Sequence, residues 1–141
     1  MTRHAKKPFG LDVSPIFEPK SVAVIGASER DDALGSVVLR NLIKNRYKGR
    51  IFPVNPKREK VQGRRCYESL SAIRDPIDLV IIVTPAASVP AIMEEAGACD
   101  VPAAIIISAG FGEAGKQGQK LQDKVARIAR RHGIRFLGPN C

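Results

Sequence analysis

The sequence contains no tryptophan, and aromatic residues make up only 5% of its 141 positions. Single-stranded nucleic acids are commonly held by stacking bases on aromatic side chains, so this composition argues against such a binder. No apolar run approaches the roughly 20 residues that a membrane-spanning helix needs. The basic start, MTRHAKKPFGLDVSPIF, lacks the apolar segment of a secretory signal. We therefore expect a cytoplasmic globular domain with neither a nucleic acid nor a membrane as partner.

Cysteine and histidine are also scarce. Cys66, Cys99 and Cys141 form an odd number without C-x-x-C spacing, which favours free thiols over disulfides or a zinc site. His4 lies in the basic start, and His132 ends a predicted helix, where its charge would interact favourably with the helix dipole. The serine-hydrolase elbow, the P-loop and the H-E-x-x-H motif are all missing. The sequence therefore indicates no catalytic residue and no metal ligand.

Positive charge is abundant, with a formal net charge of +9, but it is unevenly distributed along the chain. Residues 30–65 hold eleven lysines and arginines against three acids, whereas residues 75–115 hold six acids and no basic residue. One basic side of this kind suits a small ligand with several phosphates as well as it suits a duplex.

Apolar runs alternate with amphipathic segments along most of the chain. We read residues 1–19 as a basic, irregular lead-in and residues 20–141 as one domain. Strands are predicted at residues 21–26, 50–55, 78–84, 103–110 and 134–138, and helices at 34–46, 69–73, 88–98 and 116–132. The strands are β-branched and lack polar alternation, as in a parallel sheet covered on both faces. The pattern predicts an α/β fold, a Rossmann-like, doubly wound sheet of five parallel strands.

Helix ends can also be read from the sequence. Ser88 is expected to cap the third helix with its side chain, with Pro90 in the first turn of that helix. Gly133 is expected to end the last helix.

In such folds the ligand lies beyond the carboxyl ends of the strands. The first of these loops, GASERDDALGS, lacks the close glycines of G-x-G-x-x-G, since Gly26 is followed only nine residues later by Gly35. Gly26, with the small Ala27 and Ser28, still allows a phosphate to approach the main chain. Ser36 stands near a helix N-terminus that favours anions. A merely tight strand-to-helix turn is the alternative, since these small residues alone are a weak signal.

The second loop carries a stronger signal. NAD-binding domains place an acidic residue after the second strand to hold the ribose hydroxyls. Here that strand ends in Asn55, Pro56 and Lys57, with no acid before Glu59. A lysine at this position favours a phosphorylated ribose, as in NADP or in the 3′-phosphorylated ADP of coenzyme A (CoA). A solvated basic turn is the simpler alternative.

The third and fourth loops suit the remainder of such a ligand. Thr84 and Pro85 offer a hydroxyl and a rigid backbone. The fourth loop, SAGFGEAG, has Gly110, Gly112 and Gly115 within six residues. We expect exposed N–H groups there that could receive a thioester or a carboxylate.

Taken together, PKSVAVIGAS, IFPVNPK, DLVIIVTPA, AAIIISAGFGEAG and GIRFLGPNC resemble the N-terminal CoA-binding domain of the ADP-forming acyl-CoA synthetases. The resemblance covers residues 15–141 and extends to the α subunit of succinyl-CoA synthetase and to certain bacterial protein lysine acetyltransferases. It implies that CoA is the cofactor. The residues that it assigns to CoA, added to those chosen from the loops, are Gly26, Ala27, Ser28, Ser36, Asn55, Pro56, Lys57, Val83, Thr84, Pro85, Ser108, Ala109, Gly110 and Asn140.

Within that set, the resemblance gives each loop a part of CoA. Residues 26–28 would line the phosphates, and Lys57 would contact the phosphorylated ADP. Residues 83–85 would border the cofactor, and residues 108–110 would face the pantetheine. Asn140 would lie close to the reactive end.

The resemblance also implies a function. The family interconverts acyl-CoA, ADP and phosphate with carboxylic acid, CoA and ATP, using a phosphohistidine domain and an ATP-grasp unit in the same chain or in a partner. Neither is found in this sequence, so we expect a binding domain that is part of a larger enzyme. The alternatives are the related acetyltransferase, an NADP-binding oxidoreductase or redox sensor, and a stand-alone regulatory CoA-binding module. The acyl group and the choice between ADP and GDP stay open.

Overall fold

Strands and helices alternate along residues 14–139, the part of the chain that the computed structural model describes. The strands are β1 Ser21–Ile25, β2 Arg50–Val54, β3 Lys60–Val61, β4 Arg64–Arg65, β5 Leu79–Ile82, β6 Ala103–Ile106 and β7 Arg135–Leu137. The α-helices are α1 Ser14–Phe17, α2 Leu34–Lys44, α3 Val89–Ala98 and α4 Lys116–His132. Short 3-10 turns cover Leu70–Ala72, Ala86–Ser88 and Gly112–Ala114.

The main sheet has the strand order β2-β1-β5-β6-β7, and all its neighbouring pairs are parallel. The chain moves outward from β1 to β2, and then crosses back to build β5, β6 and β7 on the other side of β1. The strand order therefore reverses between β1 and β5. Loops that leave the carboxyl ends of these two strands diverge, and this is where doubly wound folds form their ligand crevice.

The sheet is covered on both faces, because successive side chains of a strand point to opposite sides. Ala23 and Ile25 of β1 pack in one core cluster with Met93 of α3 and Ile128 of α4. On the opposite face, residues 22 and 24 pack in a second cluster with Leu39 of α2. The predicted α/β fold, a Rossmann-like, doubly wound sheet of five parallel strands, is confirmed. No helix in the described part of the chain has the length and hydrophobicity to cross a membrane.

The predicted strands match β1, β2, β5, β6 and β7, with ends that differ by up to four residues. Helix α2 ends at Lys44, two residues before its predicted end, because Arg46 has a left-handed φ of 56°. Pro90 lies in the first turn of α3, and Gly133 ends α4 with φ 69° and ψ 29°, as predicted.

The predicted side-chain cap of α3 is wrong. Ser88 makes no capping hydrogen bond, and its hydroxyl lies 2.7 Å from Thr84 Oγ1 and 2.6 Å from the Pro85 carbonyl oxygen. The reason is local geometry. Ser88 already has helical angles, φ −84° and ψ −17°, whereas a capping serine has an extended backbone.

Two features were not predicted. Residues 14–17 of the lead-in form one helical turn, in which the Glu18 N–H donates to the Ser14 carbonyl at 2.7 Å. Strands β3 and β4 form a small antiparallel hairpin, and Tyr67 beyond it bridges to Val54 on the outer side of β2. The hairpin and the segment after it therefore lie beside the edge strand.

Gly118 in α4 tests how tightly the last helix is packed. A Cβ atom there would lie 1.6 Å from the Phe111 carbonyl oxygen. Alanine normally stabilises a helix relative to glycine, but Gly118→Ala is expected to destabilise this fold by about 2 kcal/mol because backbone must move. Urea unfolding measures the change. The neighbouring, exposed Gln117→Ala is the control and should be nearly neutral, whereas a more stable G118A protein would contradict the packing.

Candidate functional site

Gly26 directly follows β1, where the strand order reverses between β1 and β5; doubly wound folds form their ligand crevice at this point, which we call the β1–β5 crevice. Gly26 has φ 98°, a conformation that residues with a side chain rarely adopt. A Cβ atom at this position would lie 2.7 Å from Val83 Cγ2 and 3.1 Å from Thr84 Cγ2. The loop after β1 and the loop after β5 are therefore in direct contact.

The spacing of nine residues between Gly26 and Gly35 also has a structural cause. Gly35 is the second residue of α2, and a Cβ atom on it would lie 1.9 Å from the Gly26 carbonyl oxygen. Close packing of helix against strand is one task of the glycines in a dinucleotide fingerprint. Gly35 performs it here from a longer loop, which includes the exposed residues 29–32.

The first turn offers fewer free donors than its small residues suggest. The N–H groups of Gly26 and Ala27 both donate to the Val54 carbonyl, at 3.1 and 3.2 Å. Ser28 is half-buried, and its Oγ accepts the Arg30 N–H at 3.0 Å. At the start of α2, Ala33 provides no side-chain cap. The first N–H groups of α2 are thus the donors of this turn that no capping side chain engages.

Asn55 joins the ends of the first two strands. Its side-chain amide donates to the Ala27 carbonyl at 2.8 Å, and its Oδ1 accepts the Lys57 N–H at 2.9 Å. This pair of hydrogen bonds holds Lys57 beside the β1 turn. Pro56 and Lys57 are exposed, and the Lys57 ammonium makes no ion pair or side-chain hydrogen bond within residues 14–139.

A groove of about 580 Å³ opens next to Lys57. Its lining includes the cations Lys57, Arg58 and Arg65 together with Glu59 and Glu68. Residues 65–67 lie here because of the β3–β4 hairpin, and the Arg65 guanidinium stacks 4.6 Å from the ring centre of Tyr67. Sequence reasoning missed this groove, although Gln62-Gly63 between two short strands was an available turn signal.

Cys66 also borders the groove but is not a nucleophile. It is 7% exposed, and burial raises the pKa of its thiol. The thiol therefore stays protonated at neutral pH. Cys99 is half-buried, and burial raises the pKa of that thiol too.

The loops after β5 and β6 are joined by Ser108. Its hydroxyl donates to the Thr84 carbonyl, and the side chain is only 5% exposed. Val83 and Thr84 are half-buried at the crevice, whereas Pro85 and Ala109 are exposed. Ser108 thus sets the distance between the two loops, and its hydroxyl is already used within the protein.

The expectation of exposed N–H groups in the fourth loop is wrong for residues 110–112. The N–H groups of Gly110 and Phe111 both donate to Glu113 Oε1, and the Gly112 N–H donates to Gln122 Oε1 at 3.0 Å. The hydrogen bond from Gly110, followed by those from Glu113's own N–H and from Phe111, lowers the pKa of the Glu113 carboxyl. The loop thus binds an anion, but that anion comes from its own chain.

Other candidate groups lie away from this crevice or outside the description. His132 bonds to Glu94 at 2.8 Å beside α3, in a structural contact between two helices. Asn140 and Cys141 lie outside the described residues, as does His4. Within residues 14–139 no three histidine, cysteine or acidic side chains are grouped as metal ligands.

Comparison with known proteins identifies the type of domain. The profile of a family described as "CoA binding domain" matches residues 20–141. The chain belongs to this family. This CoA-binding domain is 44% identical to the ADP-forming acetate–CoA ligase I of Archaeoglobus fulgidus over 126 residues, which are 89% of this chain and 18% of that protein. It is 42% identical to the α subunit of the corresponding Pyrococcus furiosus ligase, covering 92% of this chain and 29% of the subunit.

A solved structure agrees with these relatives. The dinucleotide forming acetyl-coenzyme A synthetase 1 of Ca. Korarchaeum cryptofilum, in complex with phosphate and ADP, matches with a TM-score of 0.87 and 35% identity. The match covers 92% of this CoA-binding domain and 27% of that chain. The domain therefore spans less than a third of the length of these relatives.

One shorter relative is also similar. An uncharacterized protein of Bacillus subtilis, YneT, is 32% identical over 98 residues, which are 69% of this CoA-binding domain and 71% of that protein.

Glu113 gives this domain a pH-dependent contact. The folded state lowers the pKa of this carboxyl, so its stabilisation is present above the unfolded pKa of about 4.3 and is lost as pH falls through the lower folded value. The melting-temperature advantage of the wild type over Glu113→Gln should therefore shrink between about pH 5 and pH 2. Thermal unfolding across this range measures it. Glu68→Gln is the control, since Glu68 is exposed and has no hydrogen-bond partner in residues 14–139; an equal pH effect there would contradict the assignment.

Proposed function

We propose that the chain binds CoA across the β1–β5 crevice as the CoA-binding domain of an ADP-forming acyl-CoA synthetase. The observation that carries this proposal is Lys57. Its ammonium is exposed and has no partner in the described residues, and its backbone N–H donates to Asn55 Oδ1 beside the β1 turn. NAD-binding domains have a carboxylate at this position, which would repel a phosphorylated ribose.

The groove beside Lys57 also supports placing the phosphorylated ribose near Lys57. Three cations and two carboxylates line it, which leaves a net positive charge, and a phosphate forms strong charge-assisted hydrogen bonds with lysine and arginine. We place the 3′-phosphorylated ADP of CoA at this end. The diphosphate then extends to the first turn of α2, where the helix dipole and uncapped N–H groups favour an anion.

The pantetheine arm is proposed to pass the junction of the β5 and β6 loops. Val83, Thr84 and Pro85 would border it, and Ala109 and Gly110 would lie beyond them. Ser108 would act by joining these loops, since its hydroxyl is bonded to Thr84. Asn140, outside the described residues, is retained as a proposed neighbour of the reactive end.

The complete reaction needs more than this domain. We propose that ATP or ADP is bound by an ATP-grasp unit in the same natural chain or in a partner subunit. The name of the P. furiosus relative, an α subunit, indicates a further subunit for that protein. Within this chain we propose binding and no catalytic residue. Free thiols at Cys66 and Cys99 favour a cytoplasmic location for the assembly.

A stand-alone CoA-binding module is the second candidate. The similarity to YneT favours it, because this chain covers 71% of that protein. The two candidates differ in activity. Formation of ATP from acyl-CoA, ADP and phosphate by the natural protein supports a synthetase, whereas CoA binding by a natural protein of about this length without that activity supports a module.

Lys57→Ala tests the orientation of the ligand. If Lys57 contacts the 3′-phosphate, the wild type binds CoA more tightly than dephospho-CoA, and the variant loses roughly 1–3 kcal/mol of CoA affinity while its dephospho-CoA affinity changes little. Calorimetric titration with both ligands measures this. Lys48→Ala is the matched control, because it removes the same charge from an exposed position before β2, at the amino end of the strand whose carboxyl end leads to Lys57.

Two results would contradict the proposal. Equal wild-type affinities for CoA and dephospho-CoA would remove Lys57 from phosphate recognition. A larger thermal shift with NADP than with CoA would replace CoA by a nicotinamide cofactor.

A further inference from the structure

The β3–β4 hairpin carries one side chain into the first loop of the crevice. Its turn is formed by Gln62 and Gly63, with φ values of 51° and 77°. Two successive positive φ angles are typical of the tight turn that joins two antiparallel strands without splaying them. Glycine accepts such angles readily, whereas glutamine does so rarely. Gln62 thus occupies an uncommon conformation for its residue type.

Gln62 makes hydrogen bonds to both ends of the β1–α2 loop. Its Nε2 donates to the Ser36 carbonyl at 3.0 Å and to Ser36 Oγ at 3.1 Å, and lies 3.4 Å from the Ser28 carbonyl. Its backbone N–H donates to Glu29 Oε2 at 3.0 Å. One residue of the hairpin therefore contacts the beginning of the loop and the first turn of the helix that follows it.

Gln62 follows a buried residue of the core. The preceding Val61 is completely buried in the core cluster that contains Leu39 of α2. At the base of the hairpin, the N–H of the buried Cys66 donates to the Glu59 carbonyl at 2.8 Å. A buried anchor next to the turn limits the movement of Gln62.

The contacted residue, Ser36, is itself enclosed. Its exposure is 1%, and its Oγ also lies 3.2 Å from Arg40 Nη2, so donors approach this hydroxyl from two directions. A ligand could not touch Ser36 Oγ unless Gln62 or Arg40 moved. The role expected for Ser36 from its sequence position is therefore better assigned to its backbone than to its hydroxyl.

We propose that Gln62 is a positioning residue: it fixes the β1–α2 loop in the shape that receives the diphosphate of CoA. The identity of the ligand rests on the proposed function, whereas the role of Gln62 in holding the loop does not. The hairpin thereby joins the two ends of the site, since Arg65 of β4 lines the groove beside Lys57 and Gln62 holds the loop where the diphosphate lies.

Gln62→Met tests this proposal, because methionine has nearly the same length but no hydrogen-bond donor in its side chain. In the ligand-free protein, hydrogen exchange of peptides spanning residues 28–36 should become several-fold faster, while peptides from β5 and β6 stay unchanged. A general loss of stability would accelerate both. Gln117→Met in α4 is the matched control and should leave both regions as they are.

Binding provides the second measurement. The Gln62→Met variant should bind CoA and dephospho-CoA more weakly by the same factor, roughly threefold to tenfold, as expected for the loss of one or two hydrogen bonds. This equal loss separates Gln62 from Lys57, whose replacement affects CoA alone. Gln62→Asn keeps the amide but shortens the side chain, so it should give the same result and replaces the methionine variant if that one does not fold.

The outcomes are distinguishable. Unchanged hydrogen exchange in residues 28–36 would show that Gln62 does not hold the β1–α2 loop, whatever the ligand is. Faster exchange with unchanged CoA binding would show that Gln62 does not prepare the loop for the ligand. Faster exchange with tighter CoA binding would show that Gln62 hinders binding. Either result would also overturn the proposal. If the wild type binds no CoA, the proposed function fails, while the exchange measurement still decides whether Gln62 holds the loop.

Discussion

The contact between Gly35 and the carbonyl oxygen of Gly26 sets the position of α2 against the end of β1. A methyl group on Gly35 would lie within 1.9 Å of that oxygen, so helix and strand can approach this closely only at a glycine. Gly26 in turn allows the β1 and β5 loops to touch, because its own missing Cβ leaves room for Val83. The crevice at the switch point depends on these two small residues, and every proposed ligand contact is arranged around them.

Several polar side chains around the crevice form hydrogen bonds between its loops. Asn55 joins the first two strand ends, Ser108 joins the next two, and Gln62 holds the loop before α2. Since buried or half-buried polar groups must be hydrogen-bonded, these residues rigidify the loops at little cost. Lys57 differs from them because its ammonium has no partner in the described residues. It is the group that we propose to contact the 3′-phosphate of CoA.

Family membership and site geometry support different parts of the functional argument. The match over residues 20–141 identifies a CoA-binding domain, and the relatives associate such domains with ADP-forming ligases. Neither fact assigns a residue to the cofactor. The orientation proposed for CoA comes from the charge beside β2 and from the uncapped start of α2. The Glu113 carboxylate on the fourth loop adds a restriction, because donors that seemed free for a ligand are occupied.

The sequence by itself determined the five strands of the main sheet, the helices between them and the loops at their carboxyl ends, but not α1 or the β3–β4 hairpin. These features follow from local periodicity, from β-branched runs and from glycine positions, all of which are visible within about ten residues. Only the tertiary structure decided the partners of polar groups far apart in the chain, such as Gln62 with Ser36 or Ser108 with Thr84. The hairpin that places Arg65 beside Lys57 belongs to the same class. Such contacts depend on how the strands are ordered in space. The hydrogen-bond partner of a single hydroxyl or amide cannot be inferred from sequence periodicity. The predicted cap at Ser88 failed for a different, local reason, since residue type indicated a cap while the backbone was already helical.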